Sequence, residues 1–178
     1  MTGHKVTAVD NYEFTSGDQL FFDTNIWLYI YGPQKPGDSR VRTYSGALRH
    51  ILEAQSQIYI DVLIISEFIN AYAKIRWSSA GSELKFKDFR NQSDFRPVAQ
   101  DIASDVRCVM EHCSRIEHDF AALEIDSLLD DYAEGRHDFN DQMIARLCER
   151  NGLTLITHDA DFKGQQIPIL TANRRLLS

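Results

Sequence analysis

The sequence contains no CxxC pair, and its three cysteines, Cys108, Cys113 and Cys148, are odd in number. Neither a disulfide framework nor a zinc site fits that pattern, so a reducing cytosol is the expected compartment. No run of about 18 apolar residues occurs, and Met1 to Asp18 lacks the apolar core of a secretory leader, which predicts a soluble, cytoplasmic chain without a membrane span. Repeats are absent. Positive charge is short: 19 Lys and Arg stand against 26 Asp and Glu, for a net charge of −7. Surfaces that bind phosphate backbones ordinarily carry an excess of basic residues, so this balance argues at first against nucleic acid.

What is present is enough for one compact domain: 178 residues, 43% of them apolar, can bury a core without disulfides or a structural metal. Residues 1–18 read as a polar extension, frayed or loosely docked, ahead of a domain over 19–178. Leu20 to Asp23 is a short apolar run closed by an acid, and Ile26 to Tyr31 forms a short helical segment stopped by Gly32 and Pro33. Ser39 is placed to cap a helix reaching about Ala54, since Val41, Tyr44, Leu48, Ile51 and Leu52 recur at helical spacing. Gln57 to Ile60 reads as a strand and Leu63 to Trp77 as a helix. Ser78 to Asp94 is the least apolar part of the interior sequence and reads as an exposed helical clip or loop. Helical periodicity resumes over Phe95 to Cys113, Ile116 to His118 reads as a strand, and further helices are expected over Phe120 to Glu134 and Asn140 to Asn151. Gly152 stands where a helix ends in a left-handed residue. Thr154 to Thr157 and Ile167 to Leu170 then read as strands. Strands alternating with helices predict an α/β fold with a mainly parallel central sheet flanked by helices, whose ligands sit beyond the carboxyl ends of the strands.

Acids fall at the positions this architecture makes important. Asp23 and Asp159 each close a strand. Glu67 lies in an apolar helix, where an acid is costly without a partner or a cation. Asn70 and Lys74 share its helical face. Asp138 and Asp141 open a helix three residues apart, at its positive end. Clustered carboxylates suit Mg²⁺ or Mn²⁺, hard cations that take oxygen ligands. Such an ion can activate a bound water and polarise a phosphate. The first 18 residues hold one lysine against three acids, and Asp23, Glu67, Asp138, Asp141 and Asp159 add five negative charges, which leaves the rest of the chain balanced. A divalent ion among those five acids would reverse the local field and admit a phosphodiester.

Each acid also has an ordinary reading. Asp138 suits a helix N-cap. Asp141 can be a first-turn acid that complements the helix dipole. Asp23 and Asp159 can be solvated loop acids, Glu67 can pair with Lys74 or a distant Arg, and Asp161 reads first as a turn residue.

Taken together, FFDTNIWLYIYG, the SEF segment and DFNDQMIARLCERNGLTLITHDADF resemble the PIN-domain family, in particular VapC-type toxins, from about Leu20 to the C-terminus. The last segment is the most specific: an Asp opens an apolar helix, a Gly turn follows, and a strand closes in Thr-x-Asp-x-Asp-Phe. The resemblance implies that Asp23, Glu67, Asp141 and Asp159 are the catalytic acidic quartet, with Asp138 and Asp161 as accessory candidates. Thr24 and Asn25 match the polar residues after the first acid, and Thr157 matches a position that helps hold that acid's loop. Asn25, Asn70, Lys74 and Thr157 are the expected substrate-side residues. His137 reads as flanking a helix or facing phosphate. The resemblance further implies an RNA substrate, cleavage to 3′-hydroxyl and 5′-phosphate ends, a homodimer and a small antitoxin partner. The chain departs from compact toxins in its first 18 residues and in the Ser78 to Asp94 stretch. A phosphatase of the haloacid-dehalogenase kind also starts with a strand ending in Asp, but it needs a second Asp two residues on, where this chain has Asn25. A receiver-like or catalytically silent module remains the non-enzymatic alternative. The aromatic-rich segments Ile26 to Tyr31 and Phe68 to Trp77 are expected to leave an apolar patch for a partner, or to be consumed in the core and a homodimer seam.

Overall fold

The computed structural model describes residues 6–33, 35–135 and 138–178; the expected role of His137 and any structure over residues 1–5 lie outside the described residues. Six strands form one sheet, β1 (Val6–Ala8), β2 (Gln19–Phe22), β3 (Gln57–Ile60), β4 (Cys113–Arg115), β5 (Thr154–Ile156) and β6 (Ile169–Thr171), in the order β1-β6-β5-β2-β3-β4. Every pairing is parallel. The α-helices around the sheet are α1 (Thr24–Tyr31), α2 (Ser39–Glu53), α3 (Val62–Ser79), α4 (Phe86–Arg90), α5 (Phe95–Glu111), α6 (Ile125–Ala133), α7 (Phe139–Asn151) and α8 (Arg174–Leu177). This is the expected α/β architecture.

The central strands carry continuous apolar runs because helices cover both faces of a parallel sheet. Leu20, Phe21, Phe22, Ile58, Ile60, Leu155, Ile156, Ile169 and Leu170 are all buried. β2 lies between β3 and β5, and the chain leaves it toward β3 and β4 on one side before returning to build β5 and β6 on the other. That reversal opens a crevice at the carboxyl ends of β2 and β5, where open α/β sheets place their ligands. The N–H of Asp23 donates to the Ile156 carbonyl at 3.0 Å, so the residue that follows β2 is fastened to the end of β5. α7 stops at Gly152, whose φ of 63° is left-handed, as its glycine led one to expect.

Several local expectations are corrected. Residues 6–11 are not loosely docked: β1 pairs with β6, and Val9 in the following 3₁₀ turn is buried in the core. The cap of α2 is Asp38 rather than Ser39, its carboxylate accepting from the Arg40 N–H at 3.0 Å. The strand expected at Ile116 to His118 lies at Cys113–Arg115, on the exposed edge where Ser114 and Arg115 need no apolar partner. The helix expected from Phe120 breaks into a 3₁₀ turn over Phe120–Ala122, an extended Leu123 and then α6. The aromatic segments are consumed largely by the core: Ile26, Trp27, Phe68 and Tyr72 are buried, and Tyr29, Ile30 and Tyr31 pack against them. The three cysteines are free, and no described helix is long and apolar enough to cross a membrane.

Candidate active site

Asp23 is the N-cap of α1 and is only 6% exposed. A carboxylate that deep must find donors. The Thr157 hydroxyl donates to its Oδ2 at 2.6 Å, and the Asn25 amide donates to the same oxygen. Burial nevertheless pushes its pKa up from 3.8 to about 6, with the charges of Glu67 and Asp159 adding to the rise and the Thr157 bond opposing it. Asp141, in the first turn of α7, is raised further, to about 7; burial comes first, followed by the charges of Asp23, Asp159, Asp138 and Asp161. The acids from β2, α7 and the turn after β5 therefore share one field.

Asp159 caps the 3₁₀ turn Ala160–Phe162, its Oδ1 accepting from the Asp161 N–H at 3.0 Å. Asp161 itself is exposed. Glu67 is exposed on α3 rather than enclosed by apolar neighbours, and its partner is the Thr24 hydroxyl, at 2.9 Å from Oε2, not Lys74 or an Arg. Asp138 is exposed and serves as the N-cap of α7, accepting from the Asn140 N–H at 2.8 Å. Its ordinary reading is thus realised, while its charge still reaches Asp141.

The residues expected on the substrate side divide. Thr157 is wholly buried, with its hydroxyl taken by Asp23 and by the Asp159 N–H at 3.0 Å, so it braces the acids and has no surface to offer a substrate. Asn25 is half-buried and engaged at both ends of its amide: the nitrogen is on Asp23 and the oxygen accepts from the His158 N–H at 3.1 Å. Asn70 and Lys74 lie exposed on the same helix as Glu67, with the Asn70 amide donating back to the Ser66 carbonyl at 2.9 Å.

Among the described residues, no Lys or Arg forms an ion pair with Asp23, Glu67, Asp141 or Asp159. Arg40, whose charge reaches His158, is held by Asp38 at 2.5 Å instead. Among those residues, too, no three His, Cys, Asp or Glu side chains are already gathered around one point where a metal would sit. The donor chemistry fits a hard divalent cation even so. Every donor is a carboxylate, two of them are raised by burial and mutual repulsion, and Mg²⁺ commonly takes a few protein carboxylates and completes its shell with water.

Sequence reasoning missed Tyr44, Asn173 and the buried Asp61–His118 pair. Asp61 caps α3 through the Ile64 N–H at 2.9 Å and binds His118 Nε2. An acid set between a strand and an apolar helix was the available signal for that cap; nothing local marks His118 as its partner, 57 residues away.

The PIN domain family matches residues 20–166, and the chain belongs to that family. Among solved structures, VapBC2 from Rickettsia felis, crystallised with a DNA fragment from its promoter, is similar at 15% identity and a TM-score of 0.55, covering 86% of this chain and 98% of that one. PAE2754 from Pyrobaculum aerophilum is similar at 14% identity and a TM-score of 0.50, covering 90% and 93%. At such identities these likenesses speak for the fold. No curated protein matches the chain significantly.

Proposed function

We propose that this chain is an endoribonuclease that hydrolyses RNA phosphodiester bonds with Mg²⁺ or Mn²⁺, and that it serves as the toxin of a toxin–antitoxin pair. The observation that carries the nuclease reading is the buried, raised Asp23 sharing a field with Asp141 and Asp159 at the sheet's switch point, with no Lys or Arg among the described residues in an ion pair with them. Asp23, Asp141 and Asp159 would hold the ion, with Glu67 either a further ligand or the group that orients water. When bound, such an ion acidifies a water and neutralises phosphate charge.

Thr24 fixes Oε2 of Glu67, which leaves Oε1 to accept a hydrogen bond from the attacking water. Water adds to phosphorus, the P–O3′ bond breaks, and the departing 3′ oxygen takes a proton, which leaves a 5′-phosphate and a 3′-hydroxyl. Lys74 and Asn70 offer a cation and an amide on the same exposed helix for a neighbouring phosphate. Asn25 and Thr157 keep Asp23 in place.

The toxin reading rests on the VapC-like sequence pattern, and the fold is shared with VapBC2, which was crystallised bound to a DNA fragment from its promoter. A homodimer, a small protein antitoxin and a cytoplasmic site of action belong to that reading. Val62 and Phe120, at 72% and 68% exposed, are the most open large apolar side chains among the described residues and are available to either protein partner.

Two experiments test these levels separately. Incubated with end-labelled single-stranded RNA and Mn²⁺, the purified chain is expected to yield fragments with 5′-phosphate and 3′-hydroxyl ends. Failure with either Mg²⁺ or Mn²⁺ on both single-stranded and structured RNA would leave a silent PIN binding module. Induced expression is expected to arrest growth, and a small protein encoded beside it to restore growth. Harmless high-level expression of a chain active in vitro would make it a non-toxin PIN nuclease.

A further inference from the structure

The loop that presents Asp159 leaves the sheet after β5, and its last strand-like bond is the Thr157 N–H to the Leu170 carbonyl at 3.2 Å. Beyond that point the backbone groups have no ladder to join and need other partners. Four side chains supply them on two successive peptide groups. Around the peptide joining residues 157 and 158, the His158 N–H donates to Asn25 Oδ1 at 3.1 Å, and the Tyr44 hydroxyl lies 3.4 Å from the Thr157 carbonyl. Around the next peptide, the Asp159 N–H donates to Thr157 Oγ1 at 3.0 Å, and Asn173 Nδ2 donates to the His158 carbonyl at 2.6 Å. The His158 ring is also held, by a 2.8 Å bond between Nδ1 and the Tyr44 hydroxyl.

A peptide group is planar, so fixing both its N–H and its C=O fixes the direction in which the next Cα leaves. For the second peptide that Cα is the one bearing the Asp159 carboxylate. Three of these holding residues, Asn25, Tyr44 and Thr157, lie within the matched span 20–166, but Asn173 does not. It belongs to the segment after β6, which is anchored to the core by the Ala172 N–H donating to the Tyr44 hydroxyl at 3.0 Å and is backed by β1 through the pairing of Ala8 with Thr171.

We propose that Asn173 is a positioning residue: it clamps the His158 carbonyl from the C-terminal segment and so sets the direction in which Asp159 offers its carboxylate to a divalent cation. This rests on the metal-nuclease reading above. The amide of Asn173 does two separable jobs. Its oxygen caps α8 by accepting from the Arg175 N–H at 3.0 Å, while its nitrogen alone reaches the loop. Asn173→Ser keeps a capping oxygen and loses that donor; Asn173→Asp also keeps the cap and loses the donor. Groups that orient a ligand from behind typically change metal affinity by about 10- to 100-fold when removed.

The test is a titration of the intact chain with Mn²⁺, read both as the metal-dependent rise in melting temperature and as RNA cleavage. Both variants are expected to melt like the wild type without metal, to need about tenfold more Mn²⁺ for half the thermal shift, and to regain most of the cleavage rate at saturating Mn²⁺ with KM for RNA unchanged. Wild-type Mn²⁺ midpoints in both variants would overturn the clamp and leave Asn173 a helix cap. A loss confined to metal-free melting temperature, with the metal midpoint unmoved, would overturn it equally. A wild-type chain that neither binds Mn²⁺ nor cuts RNA fails at the earlier step, bringing down the site reading and the clamp together.

Discussion

Asp23→Asn and Asp141→Asn are each expected to lower RNA cleavage about a thousandfold, on the order of 4 kcal/mol of barrier, while the metal-free protein melts at the wild-type temperature or above it. The two halves of that result have one cause. Asp23 accepts from Thr157 and Asn25 on a single oxygen, Oδ2, and an asparagine carbonyl can take that place in the same volume. What disappears is a charge that burial and the neighbouring acids oppose, so the fold loses nothing and repulsion falls. On the proposed reading, the chemistry loses a metal ligand. Asp138→Ser is the contrasting variant: serine keeps the N-cap bond to Asn140, and cleavage within a few-fold of wild type is expected, because the structure gives Asp138 a capping role. Circular dichroism melts and single-turnover cleavage with Mn²⁺ read both quantities. Wild-type rates in Asp23→Asn and Asp141→Asn would dismiss the acid cluster as the site, and a thousandfold loss in Asp138→Ser would restore Asp138 as a ligand.

The legible parts of this fold were those written in short-range pattern. The runs Leu20–Phe22 and Gln57–Ile60 are strands because their apolar side chains are buried between helix layers, and Gly152 ends α7 because its backbone is left-handed there. The acids at strand ends were legible for the same reason: a parallel sheet sends its strand carboxyl ends to one edge. β1 was not legible, since Val6–Ala8 is three residues long and follows a polar start, and only its distant partner β6 makes it a strand. β4 was displaced by a few residues because Ile116 and His118 look more strand-like than Ser114 and Arg115, which an edge tolerates. Glu67 was placed on the right helix but on the wrong kind of face: spacing finds a stripe, and only packing shows that the stripe faces solvent. The braces of the acid loop were hidden altogether. Tyr44 reads as one more apolar residue of α2, and its bond to His158 spans 114 positions; Thr157 looks like a polar residue near a substrate until its complete burial makes it a support.

Removing the metal is expected to abolish cleavage and to expose a pH dependence of stability that the metal masks. With EDTA, the folded protein should lose stability as pH rises from about 4 to about 7. The sign follows from the direction of the shifts. Asp23, moved from 3.8 to about 6, and Asp141, moved to about 7, keep protons in the folded state at pH values where the unfolded chain has released them. The folded state therefore binds more protons across that window, and raising the pH favours unfolding. For the buried Asp23 the difference amounts to about 3 kcal/mol at most; Asp141 is more open to solvent, which screens its share. Asp141 is only half ionised in the folded state at about pH 7; by about pH 8 both groups are ionised whether or not the chain is folded, and the penalty stops growing. On the proposed reading Mn²⁺ would bind the ionised carboxylates and compete with protons, so the metal-dependent rise in melting temperature should be larger at pH 7.5 than at pH 5.5, and cleavage should fall away on the acid side. Melting curves at pH 5, 6 and 7.5, with EDTA and with Mn²⁺, compare the wild type with Asp23→Asn. The variant should show the shallower decline in EDTA and a reduced metal response. Superimposable pH profiles for the two proteins would mean that Asp23 does not carry a raised pKa, and cleavage undiminished by exhaustive chelation would mean that the acids do not work through a metal.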